Sequence, residues 1–179
     1  MSGSSIDPDF HRAVPPDDTI ERDICTHCGF VSYQNPKIVV GSVVRTGDGI
    51  LMCKRAIEPR KGFWTLPAGY LEKNETPEEG ARREAMEEAC ATINLSELLA
   101  VYTIVRLSQV QLIYRSTLQG SFDVGPESEA VETYSFDRIP WDEIAFPSVH
   151  WALHHDESVH RGIGTAPFKN PDGQTGAFR

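Results

Sequence analysis

The chain has little of what marks an exported, membrane-embedded or nucleic-acid-coating protein. Four cysteines (Cys25, Cys28, Cys53, Cys90) in 179 residues are too few for a disulfide scaffold and point to reduced thiols in a cytoplasm. No apolar run approaches the ~18–20 residues that cross a bilayer. Met1–Arg12 lacks the apolar stretch of a signal peptide. Basic residues are scarce: 17 Lys+Arg against 26 Asp+Glu leave a formal charge of −9. That balance excludes a general binder of nucleic acid or anionic membranes, which needs a basic face. It leaves room for a phosphorylated ligand, because a few placed cations overrule net charge locally. Internal repeats and low-complexity tracts are also absent. What is present, 40% hydrophobic and 24% charged residues, is the composition of a globular domain able to bury a core.

Residues 1–13 read as a polar tail, disordered or foreign to the native chain. The first stretch with folding character is Ile24–Tyr33, which contains Cys25-Thr-His-Cys28-Gly29. Lys37–Arg45 is rich in β-branched residues and is followed, across Thr46-Gly-Asp-Gly49, by Ile50–Arg55, so the pair reads as a hairpin. Gly62–Gly69 reads as a short strand entering a loop. Thr76-Pro77-Glu78-Glu79 supplies an N-cap, a proline at the first helical position and a capping box, and predicts a helix to about Ala91. Leu98–Leu107, Gln109–Gln119 and Val131–Phe136 favour strands, and Pro147 suits the start of a helix through Trp151 and His155. The Gly/Pro-rich residues 161–179 read as an extended tail. The whole is a mixed α/β domain.

The mid-chain helix carries the chemistry. Glu84, Glu87 and Glu88 fall at i, i+3 and i+4, within an arc of about 100°. Like charges at those spacings destabilise a helix by a few tenths of a kcal/mol per pair, roughly, so the cluster calls for a cation. Ala81, Ala85 and Ala89 lie just round the helix and let it pack close to a sheet, which puts the acids at the edge of the packed face. Oxygen-only, charged ligands suit Mg²⁺ or Mn²⁺, and Mg²⁺ keeps sites for water or substrate phosphates. A solvated acidic face is the alternative on helix spacing alone.

From Gly69 the pattern runs five residues to Glu75, seven more to Arg83-Glu84, then Ala85, Met86 and Glu87-Glu88. It resembles the signature of the Nudix hydrolases, G-x5-E-x7-R-E-U-x-E-E-x-G-U with U a bulky aliphatic residue. Trp64-Thr-Leu-Pro-Ala-Gly69 resembles the family's lead-in. Cys90 stands where that signature has Gly and is expected to extend or reshape the helix end, while Ala85 and Ala91 are smaller than the usual aliphatics. The resemblance implies an α/β/α sandwich with a mixed sheet over 37–160. It also implies that Glu84, Glu87 and Glu88 hold the metal with backbone around Ala68 and Gly69, and that Arg83 pairs with Glu75. Crowded carboxylates raise one another's pKa, so one can serve as base. Glu88 is one candidate. The loop Gly125–Glu132 offers others in Glu127, Glu129 and Glu132, with Glu127 best aligned to an acidic stretch of related enzymes. Arg55, Arg60 and Glu129 are candidates for meeting substrate, and Tyr33 or Phe63 for stacking on a base, each with a plain structural role as the alternative.

Cys25-x-x-Cys28-Gly29 is half of a zinc ribbon, with no second CxxC in the chain. Residues 14–36 nevertheless resemble, in degenerate form, the ribbon heading the Nudix subgroup that acts on FAD, ADP-ribose and related dinucleotides. Structural Zn²⁺ on Cys25 and Cys28 is thus a secondary expectation. The resemblance continues through Ile57-Glu58-Pro59-Arg60 and Gly125-Pro126-Glu127-Ser128 to Ile139-Pro140-Trp141. The leading expectation is metal-dependent hydrolysis of a diphosphate linkage in such a substrate, giving AMP and a second monophosphate. The expected enzyme is a cytoplasmic homodimer without nucleic-acid or membrane partners. A non-catalytic nucleotide sensor on the same fold, and a zinc-ribbon nucleic-acid module, are the competing readings.

Overall fold

The computed structural model describes residues 9–47 and 49–176, in two compact units that divide between Asn35 and Pro36. The smaller is a three-stranded antiparallel sheet of β1 (Phe10–Ala13), β2 (Arg22–Cys25) and β3 (Val31–Ser32), in that order. Of the expected tail over 1–13, residues 1–8 lie outside the described ones. Phe10–Ala13 correct that expectation by pairing with β2, helped by the Arg12–Asp23 ion pair across the two strands.

The larger unit comprises β4 (Lys37–Arg45), β5 (Ile50–Arg55), β6 (Trp64–Thr65), β7 (Ala68–Tyr70), α1 (Pro77–Ala89), β8 (Thr92–Ile104), β9 (Gln109–Gln119), β10 (Ser128–Tyr134) and α2 (Pro147–His160). The sheet order is β10-β5-β4-β9-β8, with β6 on β5 and β7 on β4. Only β4–β9 is parallel, so the sheet is mixed. The expected β4–β5 hairpin closes only at Arg45 and Ile50. Beyond that pair the strands splay. β6 joins β5 at Cys53 and Lys54, and β7 joins β4 at Val39–Gly41, so residues 64–70 wedge between them. Gly41 permits this, since a Cβ there would collide with Ala68. The wedge is what brings Ala68 and Gly69 beneath α1.

The two helices cover opposite faces of the sheet. On one, the fully buried Ala81, Ala85 and Ala89 of α1 sit against Val40, Val44, Leu51 and Cys53, as the small-residue stripe requires. On the other, Trp151, Ala152 and Leu153 of α2 pack on Val43, Met52, Leu99 and Tyr102, where a large apolar side chain contributes ~1.5–3 kcal/mol. Helix α2 is pinned by Asp156, wholly buried, which accepts from Arg45 Nε at 2.6 Å and Arg115 Nε at 2.7 Å. Strand β8 starts six residues before the expected Leu98, and its irregularities fall between Leu95 and Ala100. Beyond α2, Phe168 bridges to Ala100 on the outer edge of β8. No helix among the described residues is long and apolar enough to cross a membrane.

Candidate active site

Helix α1 is capped as its sequence dictates. Thr76 Oγ1 accepts from the Glu79 N–H at 3.2 Å, and Glu79 Oε2 accepts from the Thr76 N–H at 2.8 Å. The helix stops at Ala89, short of the expected Ala91, and its end is reshaped and not extended at Cys90. Cys90 takes the left-handed conformation itself, at φ 47°, and its N–H closes on the Met86 carbonyl at 3.0 Å. A loop then finishes the helix: Asp123 N–H donates to Ala89 O at 2.9 Å and Gly125 N–H to Glu88 O at 3.1 Å. Gly125 has to be glycine, because a Cβ would strike the Glu87 carbonyl.

Against this scaffold the three acids differ. Glu84 and Glu88 are buried, while the Glu87 side chain is half exposed. They stand in the second half of a helix whose last turn has no base, where the helix dipole also disfavours negative charge. Glu84 lies against Gly69, where a Cβ would collide with its carboxylate. Glu88 Oε2 accepts from the Ala68 N–H at 3.1 Å. Burial pushes the Glu88 carboxyl up to about 8 against the pull of that N–H; Glu84 and Glu127 push the same way and Arg55 opposes them. Burial likewise raises Glu84, against the pull of Arg83.

Arg83 and Glu75 meet as expected. Arg83 donates through Nε and Nη2 to the two Glu75 oxygens, at 3.0 and 2.8 Å, and Glu75 also accepts from the Glu72 N–H. The guanidinium holds the Glu75 carboxyl down at about 2. The same side chain reaches Tyr70 O, and its Nη1 lies 2.7 Å from Glu84 and 2.8 Å from Glu87. Arg83 thus fills the gap between two of the acids. Among the described residues no three of His, Cys, Asp or Glu are grouped for a metal ion. The donor set itself, hard carboxylate oxygens stacked on a glycine that leaves them room, fits a hard divalent cation.

Arg83, Glu84, Glu87 and Glu88 border a cleft of about 460 Å³, within the range of small-molecule sites. Glu127 lines it, as does Arg55, whose Nε donates to Pro59 O at 2.8 Å and whose guanidinium lies 5.2 Å from the Phe146 ring. Other candidates are elsewhere. Arg60, at φ 66°, donates to Ala145 O and covers the Phe63 ring, and Glu129 pairs with Lys61 at 3.8 Å; of the candidates Arg60, Phe63 and Glu129 none borders the cleft. Tyr33 belongs to the smaller unit, beneath Arg22. Sequence reasoning missed Tyr70, Gln109, Gln111 and Phe146, which do line the cleft. Strand alternation places Gln109 and Gln111 on one face, but no signal singles them out.

In the smaller unit Cys25 is buried and Cys28 exposed, on a turn closed by Gly29 N–H to Cys25 O at 3.0 Å. The sequence Met1–Asp9 contains neither Cys nor His. His11 and His27 are further donors by residue type, but among the described residues no third His, Cys, Asp or Glu is grouped with Cys25 and Cys28, where a structural zinc takes four donors.

Several known proteins resemble the chain. The chain is 36% identical over 102 residues to a MutT-like protein of Streptomyces ambofaciens, spanning 56% of this chain and 64% of that one. It is 27% identical over 113 residues to an ADP-ribose pyrophosphatase of Methanocaldococcus jannaschii, spanning 60% and 67%. The chain therefore matches about two thirds of the length of each of these relatives. The crystal structure of a NUDIX hydrolase from Nitrosomonas europaea superposes with a TM-score of 0.86 at 40% identity, covering 93% of this chain and 96% of that one. The Nudix N-terminal zinc-ribbon profile matches residues 8–34 and the NUDIX domain profile residues 35–155, so the chain belongs to the Nudix hydrolase family.

Proposed function

We propose that the protein hydrolyses the diphosphate linkage of a nucleoside diphosphate derivative, ADP-ribose, FAD or a related dinucleotide, giving AMP and a second monophosphate. One observation carries the reading: two buried acids, Glu84 and Glu88, share a cleft with Glu87, Glu127 and the guanidinium of Arg55. An acid cluster at the dipole-disfavoured end of a helix calls for a cation, and Arg55 offers a charge for a phosphate. The similarity to an ADP-ribose pyrophosphatase supports the substrate class.

Glu84, Glu87 and Glu88, with backbone at Ala68 and Gly69, are the residues that would hold Mg²⁺ or Mn²⁺. Such an ion neutralises phosphate charge and lowers the pKa of water. The chain's own part is otherwise positional. Glu75 braces Arg83 and so fixes the α1 side of the cleft. Arg55, held by Pro59 and Phe146, presents its guanidinium to the phosphates. Glu88 or Glu127 takes the proton of the attacking water as its oxygen bonds to phosphorus. The bridging oxygen leaves with the electron pair of the broken bond, as the second monophosphate. Free thiols and the acidic surplus support a cytoplasmic enzyme acting on small molecules and not on nucleic acid, and we take it to be a homodimer.

The test is to incubate the purified chain with FAD, ADP-ribose, NADH and nucleoside triphosphates in Mg²⁺, with products separated. AMP with a second monophosphate is the expected outcome. Tight nucleotide binding without any phosphate product would instead establish a sensor.

A further inference from the structure

We propose that the segment Phe168–Gly176 closes the far end of the cleft at Gly176 and so selects the group that the substrate carries beyond its diphosphate. This rests on the hydrolase reading above and adds to it a specificity-determining element outside the acidic helix.

The segment is fastened to the open edge of β8, the strand whose last residue, Ile104, borders the cleft. Phe168 N–H donates to Leu99 O at 2.8 Å, and Val101 N–H donates to Phe168 O at 2.9 Å. Two residues on, the Asn170 side chain acts as a strand residue would. Its Oδ1 accepts from the Thr103 N–H, and its Nδ2 donates to the Thr103 carbonyl, both at 2.9 Å. Nδ2 also reaches Gln174 O at 3.2 Å, holding the turn that follows. That turn delivers Gly176 onto the buried Ile104, where both border the cleft. Gly176, at φ 75°, fits only as glycine, since a Cβ would run into the Ile104 side chain. The unpaired edge groups of Leu99, Val101 and Thr103 are thereby satisfied. Edge protection alone needs only the clasps at Phe168 and Asn170. Folding the chain back to place Gly176 at the cleft goes beyond it.

The register sets the span. Tyr70 of β7 lies opposite Val39 of β4, Val39 opposite Gln111 of β9, and Gln109 opposite Ile104 of β8. With neighbouring strands ~4.8 Å apart, three spacings put β8 about 14 Å across the sheet from β7, with Ile104 two residues further along the strand than the Tyr102 that stands opposite Gln111, and Gly176 packs on Ile104. A substrate with its diphosphate at the acids therefore lies across the strands and ends against the segment. A compact sugar fits short of the wall, whereas a fused aromatic ring system has to displace it.

The experiment compares the full chain with Asn170→Ala, which removes the clasp, and Gly176→Val, which forces the backbone off Ile104. Steady-state kcat and KM are measured for ADP-ribose and FAD in Mg²⁺, with melting curves as a check on folding. Either variant is expected to raise the ratio of kcat/KM for FAD over ADP-ribose by about tenfold, the scale of one lost pocket contact. The change should come from opposite movements of the two KM values. A merely structural role would move both substrates together, and an unchanged ratio in both folded variants overturns the inference while leaving the hydrolase reading intact. Failure of the unaltered chain to cleave ADP-ribose, FAD or NADH overturns the hydrolase reading, and this inference falls with it.

Discussion

A single guanidinium organises the acidic side of the cleft. Arg83 donates to Glu75, Glu84, Glu87 and the Tyr70 carbonyl, a fan that the planar fork of arginine can serve and a lysine ammonium cannot. Glu88 stands outside that fan, with the Ala68 N–H as its partner and burial raising its pKa. Replacing Glu88 by Gln keeps the shape and removes the charge and the proton acceptor. The expected result is a fall in kcat of ~10²-fold or more with an unchanged melting curve, checked by product release and circular dichroism. This half of the site was legible in the sequence, because Glu75, Arg83, Glu84, Glu87 and Glu88 sit at fixed spacings on one helix and its lead-in. Glu127 was legible only by analogy. Arg60 and Glu129 looked equivalent to Arg55 and Glu127 by charge, yet Arg60 is turned toward Ala145 and Glu129 toward Lys61.

At the scale of elements, α2 is held by electrostatics as much as by packing. Asp156 is fully buried between Arg45 and Arg115, whose side chains retain 20% exposure and also reach Glu157 and Glu97. Asp156→Ala strands two cations against the core and should cost about 3–5 kcal/mol in urea unfolding, the loss typical of breaking a buried pair. Acid should also loosen this helix. Burial lowers the pKa of His150 and His155, and the neighbouring His154 lowers both further. The folded state thus favours their neutral forms. The stability they contribute is complete above the ordinary histidine pKa of ~6.5 and is lost as pH falls through their depressed folded values. Urea midpoints should drop between pH 7 and pH 5, and less steeply in His155→Gln. The helices and most strands were readable from caps and patterning. Pairing was not: β4 and β5 look like a hairpin, but partner choice was decided by residues 64–70, which enter between them. Tyr70, Gln109 and Gln111 went unseen for the same reason, since period-two alternation names a face and not a neighbour.

For the molecule as a whole, acidity is concentrated. Glu72–Glu88 holds seven acids and three bases, and Asp123–Glu143 seven acids and one base. The second stretch meets the first through its leading loop, where Asp123 and Gly125 finish α1 and Glu127 borders the cleft, and through Val131, which is buried with Ala85 and Ala89. The smaller unit, with two thiols where four donors are needed, should purify with well under one zinc per chain by elemental analysis, whatever metal the larger unit takes up. Stoichiometric zinc would mean donors from another source. The parallel pairing of β4 with β9 has a kinetic consequence. It joins Lys37–Arg45 to partners about 70 residues away, the kind of non-local contact that slows folding. Helix α1 can form early from its own caps, but the cleft it faces requires β4, β7, β8 and β9 in place together. A nascent chain that has released α1 but not yet β9 therefore carries the acids with nothing to close around. Recognition appears only at the final, cooperative step of folding.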